Sequence, residues 1–176
     1  MIRPDDTPQT GAVMLTGNYK QGINTMANTP AAAQPKVRIA GTDAEIMACF
    51  HCLKFLRPHL EADSFLATVR RMEKEGYRLA FIEGRRKVAA VAGYRTMHTL
   101  FAGDTIYVDD LVTDPSLRSR GYGGALIDWL EDLAMKKGCK MLHLDSGVQR
   151  DRAHRFYFTA GFYVNCFHFA MEFDDQ

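Results

Sequence analysis

The residues best suited to chemistry form one continuous stretch in the second half of the chain, YVDDLVTDPSLRSRGYGG, residues 107–124. Its pattern predicts a strand, a turn, and a glycine-rich loop that opens a helix. Glycines leave room for backbone N–H groups to approach a ligand, and the first N–H groups of a helix have no intrahelical partner. With two arginines beside them, these groups predict an anion site, most naturally for a phosphate or a pyrophosphate. The glycines are Gly121, Gly123 and Gly124, and the arginines are Arg118 and Arg120.

Alternating and helical spacings of apolar residues predict the elements that position this stretch. Thr42 or Asp43 caps the first helix, and Pro58 ends it near Leu56. The order indicates an α+β protein with a mixed sheet whose first half is antiparallel. The predicted strands are 36–40, 77–82, 87–96, 105–113, 140–144 and a final strand or bent pair at 163–173. The predicted helices are 43–56, 61–75, one from the glycine loop to Gly138, and 152–159.

Length and composition predict a single domain and exclude some functions. With 176 residues and 47% apolar residues, the chain can bury one core of ordinary size. Its 22 basic residues nearly cancel its 21 acidic residues, which predicts no binding to nucleic acid or anionic membrane. No segment reaches the roughly 20 apolar residues that span a bilayer, so we expect a cytoplasmic protein. Residues 1–35 lack a sustained period, which predicts a poorly ordered tail before the domain at 36–176.

The four cysteines predict neither a disulfide scaffold nor a metal site. Cys49 and Cys52 form a C-x-x-C motif, but a zinc site would need a second pair of ligands, and Cys139 and Cys166 stand alone. A thioredoxin-like site would need a strand just before the motif, whereas this one falls inside a helical pattern. We therefore expect core and surface cysteines, and no metal.

Two common phosphate-binding loops do not fit the glycine stretch. A P-loop requires Lys followed by Ser or Thr after its last glycine, and here Gly124 precedes Ala125 and Leu126. A dinucleotide fingerprint would need glycine in place of Leu126. In addition, the chain remaining after Asp145 is too short to complete a doubly wound sheet.

A third pattern fits. The element order, the Arg118-x-x-Gly121-x-Gly123 loop and a later motif, AHRFYFTAGF at 153–162, together resemble the GCN5-related N-acetyltransferase (GNAT) superfamily over residues 36–173. Residues 150–162 also resemble the aminoalkylphosphonate type of small-molecule acetyltransferase. The resemblance implies a three-layer fold, with a central, mostly antiparallel sheet that splays at the cofactor site and helices on both faces.

The resemblance further implies an acetyl-CoA site. The amides of the glycine loop would hold the pyrophosphate, and the backbone of the preceding strand would pair with the pantetheine arm as an added strand does. The strand residues are Leu111, Val112 and Thr113, and the loop residues are Arg118, Ser119, Arg120, Gly121, Tyr122, Gly123, Gly124 and Ala125. Many family members carry Asn seven positions before a tyrosine of the late helix. Here that position is Arg150, which we expect to reach a phosphate or an anionic substrate.

The family's chemistry assigns candidate catalytic residues. Tyr157 occupies the position of the tyrosine that protonates the leaving thiolate in many members. Asp109 and Asp110 lie where the family often places a base, and Asp110 is our first choice. Neighbours in a strand point to opposite faces unless a bulge intervenes, so only one of the two is expected to face the amine.

The sequence indicates less about the acceptor than about the coenzyme. We expect acetyl transfer to the primary amine of a small molecule by direct attack in a ternary complex. A protein or peptide acetyltransferase and a non-catalytic acyl-CoA-binding module are the alternatives. The aromatic-rich end, FYVNCFHFAMEF, is a candidate strand for a homodimer.

Overall fold

The computed structural model describes residues 35–173 of the chain. The predicted tail therefore lies outside the described residues except for Pro35, and so do the last three residues of the predicted domain. The described elements, in order, are β1 (Val37–Ile39), α1 (Asp43–Lys54), α2 (Ala62–Lys74), β2 (Tyr77–Glu83), β3 (Val88–Thr99), β4 (Gly103–Thr113), α3 (Tyr122–Lys136), β5 (Met141–Leu144) and α4 (Asp151–Thr159).

The five strands form one sheet in the order β1-β2-β3-β4-β5. Neighbouring strands are antiparallel except for the last pair, β4 and β5, which are parallel. Strand β4 stays paired with β3 as far as Thr113, but it pairs with β5 only from Thr105 to Val108. Beyond Val108 the two parallel strands separate. The mixed, mostly antiparallel sheet with a splay between β4 and β5 confirms the predicted fold class.

Helices cover both faces of the sheet and give it two cores. On one face, α1 and α2 pack their apolar residues against side chains such as Phe81 of β2. On the other face, α3 buries Leu126, Ile127 and Leu130 against β2, β3 and β4. Burying one apolar stripe of each helix against the sheet produces the three-layer arrangement. We call the first side the α1/α2 face and the second the α3 face.

The helix start predicted at Thr42 is confirmed in detail. The Thr42 hydroxyl accepts a hydrogen bond from the Glu45 amide, and the Glu45 carboxylate accepts one from the Thr42 amide. These reciprocal bonds satisfy two backbone donors that the helix leaves unpaired. On the helix itself, Ile46, Cys49 and Leu53 are buried at the spacing that the sequence indicated.

A β-bulge interrupts β4 next to the splay. The pairing of β3 with β4 shifts between Gly93 and Tyr94, so that Gly93 lies opposite Asp110, Tyr94 lies opposite Val108, and Asp109 has no partner. The extra residue removes the strict alternation of side chains. As a result Asp109 and Asp110 both make their contacts on the α1/α2 face, the exception that the sequence analysis allowed.

The final strand predicted at 163–173 is not formed. Residues 162–173 have no regular secondary structure, and their large side chains, including Phe167 and Phe169, are exposed. An extended segment becomes a strand only when a neighbouring strand accepts and donates its backbone hydrogen bonds. Among the described residues, no strand does this for the segment.

Candidate active site

The glycine loop has the backbone shape of an anion-binding nest. Gly121 is the N-cap of α3 with φ +81°, and Ser119, two residues earlier, has φ +61°. Left-handed residues placed at alternate positions turn successive N–H groups toward one concavity, which favours an anion. Glycine adopts a positive φ without strain, whereas Ser119 does so at a cost that the loop must offset.

The N–H groups around this concavity have no partner in the described part of the chain. The first backbone hydrogen bond of α3 runs from the Ala125 amide to the Gly121 carbonyl. None of the amides from Ser119 to Gly124 donates to another described residue. A helix that begins with a glycine has no side-chain cap to satisfy these donors, and α3 has none. The donors remain available to a ligand.

The glycines differ in what a side chain would meet. A Cβ atom at Gly123 would lie 3.4 Å from Cζ of Phe156, so packing against α4 already limits this position. A Cβ at Gly124 would meet no atom within 4 Å. Packing within the chain therefore does not require a glycine at position 124. This is the expected result if a ligand occupies the space beside it.

A cleft of about 730 Å³ opens in front of this loop. It is bounded by the splayed end of β4, the start of α3 and the start of α4, with two residues of the α1–α2 connection, Phe55 and Leu56, at its side. The predicted residues in its lining are Leu111, Val112, Thr113, Arg118, Ser119, Gly121, Tyr122, Gly123, Gly124, Arg150 and Tyr157. Gln149, Asp151 and Arg152 also line it and were not predicted.

Four predicted residues lie outside this lining. Arg120 lines a smaller recess beside Gly84 and Arg85, and Ala125 is the first residue of α3 whose amide bonds within the helix. Asp109 and Asp110 are also outside the lining, and their carboxylates contact Arg57, Tyr77 and Arg95. The structure thus brings the predicted coenzyme residues other than Arg120 and Ala125 into one cleft, with the two carboxylates outside its lining.

The splay gives the cleft a free strand edge. From Asp110 to Thr113, β4 is paired on its β3 side only, because its pairing with β5 has ended at Val108. Leu111, Val112 and Thr113 are also the β4 residues in the cleft lining. Backbone donors and acceptors on an unpaired edge can bind another extended chain by strand addition.

Tyr157 contributes the hydroxyl group that the sequence placed in the cleft. It lies on α4, with its ring 5.5 Å from that of Phe156 and 5.8 Å from that of Phe162. Burial raises the pKa of the Tyr157 hydroxyl, and the nearby positive charge of Arg150 opposes this shift without cancelling it. The hydroxyl is therefore protonated at neutral pH and able to donate a hydrogen bond or a proton.

Asp110 belongs to a network that the sequence did not reveal. One carboxylate oxygen accepts a hydrogen bond from Nε of Arg57 at 2.9 Å, and the other accepts one from the Tyr77 hydroxyl at 2.8 Å. Arg95 holds the Asp109 carboxylate through its Nε atom at 3.0 Å. Each carboxylate thus forms an ion pair with a guanidinium group.

Gly93 makes this network possible. A Cβ at this position would lie 2.0 Å from the Tyr77 hydroxyl oxygen, so the tyrosine reaches Asp110 only because β3 has no side chain there. A lone glycine inside a strand pattern is a known sign of a bulge or of a close approach, and both occur here. That signal was present in the sequence, although the identity of the approaching residue was not.

A second polar cluster marks the end of β5. The Tyr107 hydroxyl donates to Asp145 at 2.7 Å, and Nδ1 of His168 lies 3.2 Å from the same carboxylate. The ring of His143 lies 5.1 Å from that of Tyr107, and its buried Nε2 atom has no hydrogen-bond partner among the described residues. Burial lowers the pKa of His143, against the opposing charge of Asp145, so the imidazole is neutral at physiological pH.

The remaining candidates have structural roles. Cys49 and Cys52 are buried in the core beneath α1, where burial raises the pKa of their thiols to about 12 and about 11. No group of three or more potential metal ligands occurs within residues 35–173. Across the same residues, no helix is both long and apolar enough to cross a membrane.

Comparison with known proteins identifies the family that the sequence motifs indicated. The Acetyltransferase (GNAT) family model matches residues 44–162. The chain is 35% identical over 103 residues to the uncharacterized N-acetyltransferase YhdJ of Bacillus subtilis, covering 58% of this chain and 72% of that protein. It is 30% identical over 93 residues to the aminoalkylphosphonate N-acetyltransferase of Salmonella typhimurium, covering 53% and 60%.

Among solved structures, the aminoglycoside N-acetyltransferase AAC(6')-Iy in complex with CoA superimposes with a TM-score of 0.70. The match covers 82% of this chain and 98% of that one at 16% identity, and therefore shows a shared fold. The chain belongs to the GNAT acetyltransferase family. Its class of activity is N-acetyl transfer, and the family's acetyl donor is acetyl-CoA.

Proposed function

We propose that this protein transfers the acetyl group of acetyl-CoA to the primary amine of a small molecule, by direct attack in a ternary complex. The observation that carries the proposal is that two sets of backbone groups without hydrogen-bond partners in the described part of the chain lie in the same cleft. These are the free amides of the glycine loop and the free edge of β4. An anionic diphosphate followed by an amide-bearing arm matches both surfaces in order.

The residues of the cleft fit that coenzyme. The amides from Ser119 to Gly124 would hold the diphosphate, with Arg118 adding charge at the rim. The backbone of Leu111 to Thr113 would pair with the pantetheine arm. Arg150 lies at the start of α4 and lines the same cleft, so it can add a second charge to the phosphates or hold an anionic group of the acceptor.

Tyr157 is proposed to act as the proton donor. Acetyl-CoA supplies a thioester, whose transfer to an amine releases a proton from the amine and requires one for the departing thiolate. The raised pKa of Tyr157 keeps its hydroxyl protonated at neutral pH, so the hydroxyl can donate a hydrogen bond to the sulfur as the C–S bond breaks and supply the proton that the departing thiolate takes up. Among residues 35–173 no cysteine lines the cleft, which favours direct transfer to the amine over an acyl-cysteine intermediate.

Asp110 or Asp109 is proposed to accept the amine's proton, in either case through a water molecule, since neither carboxylate lines the cleft. Both oxygens of Asp110 already accept hydrogen bonds, from Arg57 and Tyr77. The variants Asp109→Asn and Asp110→Asn distinguish the two residues. Removing the base flattens the acidic limb of the pH profile of kcat/KM, whereas removing a positioning residue lowers the profile without changing its shape.

The acceptor is proposed to be a small amine because both characterised comparisons bear the names of enzymes for such amines. One relative is named for aminoalkylphosphonates and one structural neighbour for aminoglycosides. The ion pairs of Asp109 and Asp110 favour an aminoalkylphosphonate over an aminoglycoside as the acceptor. Arg57 and Arg95 neutralise both β4 carboxylates, so little negative charge remains there to attract a polycation.

A thiol-release assay tests the proposal. Purified protein is given acetyl-CoA and a panel of aminophosphonates, amino acids, polyamines, aminoglycosides and lysine-containing peptides, and free CoA thiol is recorded over time. We expect amine-dependent turnover, greatest with amines that also carry an anionic group. Turnover confined to peptides would overturn the small-molecule proposal. Calorimetric binding of CoA with no turnover on any amine would instead indicate a non-catalytic module.

A further inference from the structure

A second cavity, smaller than the cleft, lies beside the glycine loop. Its volume is about 410 Å³. It is lined by Gly84 and Arg85 of the β2–β3 turn, and by Leu117, Arg120 and Tyr122 from the chain that leads into α3. Tyr122 also lines the cleft, so the two cavities adjoin. We call the second cavity the arginine recess.

The arginine recess carries positive charge without acidic partners. Neither Arg85 nor Arg120 forms an ion pair with another residue in the described part of the chain, and both are exposed. Glu83 and Asp114 are the nearest acidic residues along the two segments, and each already has a basic partner elsewhere. Two like charges that line one cavity repel each other, and a bound anion removes this repulsion.

The turn that carries Arg85 is fixed against the segment before the glycine loop. The Gly84 amide donates to the Lys87 carbonyl at 2.8 Å and closes the turn, and the Lys87 ammonium pairs with Asp114. A Cβ atom at Gly84 would lie 3.6 Å from Cδ1 of Leu117, so the two segments are close to van der Waals contact. The fold therefore sets the position of Arg85 relative to the loop before any ligand binds.

Coenzyme A has a second anionic group close to its diphosphate. In the proposed function, on which this inference rests, the amides from Ser119 to Gly124 hold the diphosphate. The ribose that carries the diphosphate on its 5′ oxygen carries a phosphate monoester on its 3′ oxygen. Such a monoester has a charge of about −1.5 to −2 at pH 7. Guanidinium groups bind phosphate oxygens through two parallel N–H donors, which makes arginine well suited to this group.

We propose that Arg85 and Arg120 bind the 3′-phosphate of coenzyme A in the arginine recess. The loop then uses its two arginines on different parts of one ligand. Arg118 lines the cleft beside the diphosphate, Arg120 lines the recess, and the left-handed Ser119 lies between them. The recess thereby distinguishes acetyl-CoA from acetyl carriers that share its pantetheine arm but lack the 3′-phosphate.

Calorimetry of the full chain with coenzyme A and with 3′-dephospho-coenzyme A tests the proposal. We expect the wild-type protein to bind coenzyme A about tenfold more tightly, the effect of a charge-assisted contact at a partly exposed site. Arg85→Ala and Arg120→Ala should each weaken the binding of coenzyme A by about three- to tenfold and change that of the dephospho form by less than about twofold. The double variant should bind the two ligands about equally.

Arg86→Ala is the matched control. It removes the same charge from the residue next to Arg85, but Arg86 does not line the recess. The change in the general field of the protein should alter the two affinities by similar small factors and leave their ratio unchanged. Thermal unfolding without ligand should be the same in all these variants, since the three side chains are exposed.

The outcomes separate this inference from the proposed function. Equal wild-type affinities for the two ligands would overturn the inference and leave the proposed function intact, because the diphosphate site would still bind both. A difference in affinity that the Arg85 and Arg120 variants preserve would also overturn it, and would show that the recess serves a separate anion or none. Absence of heat with either ligand would overturn the proposed function and the inference together.

Discussion

The two sides of the splay between β4 and β5 are built in different ways. The proposed coenzyme side consists of backbone groups from one nearly continuous piece of chain, the β4 edge followed by the glycine loop. The other side uses side chains from distant elements: Asp109 and Asp110 of β4, Tyr77 of β2, Arg95 of β3, and Arg57 from the connection after α1.

Because one side uses backbone groups and the other uses side chains, the two sides should respond differently to mutation and to a change of substrate. A site made of N–H groups depends on φ angles and on the absence of side chains, so its sequence requirement is a few glycines. A site made of paired charges depends on the geometry between elements, and each partner can be exchanged. The first side suits a coenzyme shared by a whole family, and the second suits acceptors that differ among members.

The largest effect is expected at Tyr157, the proposed proton donor in the cleft. The variant Tyr157→Phe should reduce kcat by about 10²- to 10⁴-fold, the usual contribution of a positioned proton donor. The affinity for CoA should be unchanged, since the ring and its contacts with Phe156 and Phe162 remain. Stopped-flow thiol release measures the first and calorimetry the second. An unchanged kcat would remove Tyr157 from the chemistry.

The next effect concerns the coenzyme side alone. Gly124→Leu should weaken CoA binding by about 100-fold, because the side chain occupies space that the chain itself leaves empty, and Gly124→Ala should have a smaller effect. Both variants should unfold at or slightly above the wild-type temperature, since leucine and alanine favour a helix more than glycine does. Wild-type affinity in the leucine variant would show that the diphosphate binds elsewhere.

The acceptor side has its own test at Gly93. The variant Gly93→Ala should lower the free energy of unfolding by about 1–3 kcal/mol, because its Cβ would overlap the Tyr77 hydroxyl. The matched variant Tyr77→Phe removes the hydrogen bond to Asp110 without a clash and should cost less. In both, CoA affinity should be preserved, measured by calorimetry beside denaturant unfolding. Loss of CoA binding would mean that the two sides are not independent.

The smallest effect is a change of stability with pH. Asp114 directly follows β4 and precedes the glycine loop. Burial alone would raise its pKa, but Lys87 and Ser116 lower the pKa to about 2. Because the folded pKa lies below the unfolded one, the carboxylate contributes stability above about pH 4, and this is lost as the pH falls toward 2. Asp114→Asn should abolish that part of the slope in unfolding measurements, and Lys87→Met should reduce it. An unchanged slope in both would exclude Asp114 as its source.

The sequence was sufficient where the cause is local. The cap at Thr42 and the glycine loop depend on neighbouring residues in the chain, and the structure has both. The position of Tyr157 in the cleft was expected from the family resemblance, and Tyr157 does line the cleft. The network around Asp110 depends on register between strands far apart in sequence, so Tyr77 and Arg57 were not predicted. The final strand was predicted from its alternation alone, which indicates suitability for pairing but not the presence of a partner.

The free edge of β4 has a consequence for the lifetime of the protein. An unpaired strand edge can pair with other extended chains, and under the proposed function the bound coenzyme is what covers this edge. A ligand that binds only the native state adds about 2.7 kcal/mol of stability at a concentration of 100 times its Kd. Starvation for the acetyl donor would therefore do more than slow turnover, since it would leave the enzyme itself more open to aggregation and proteolysis.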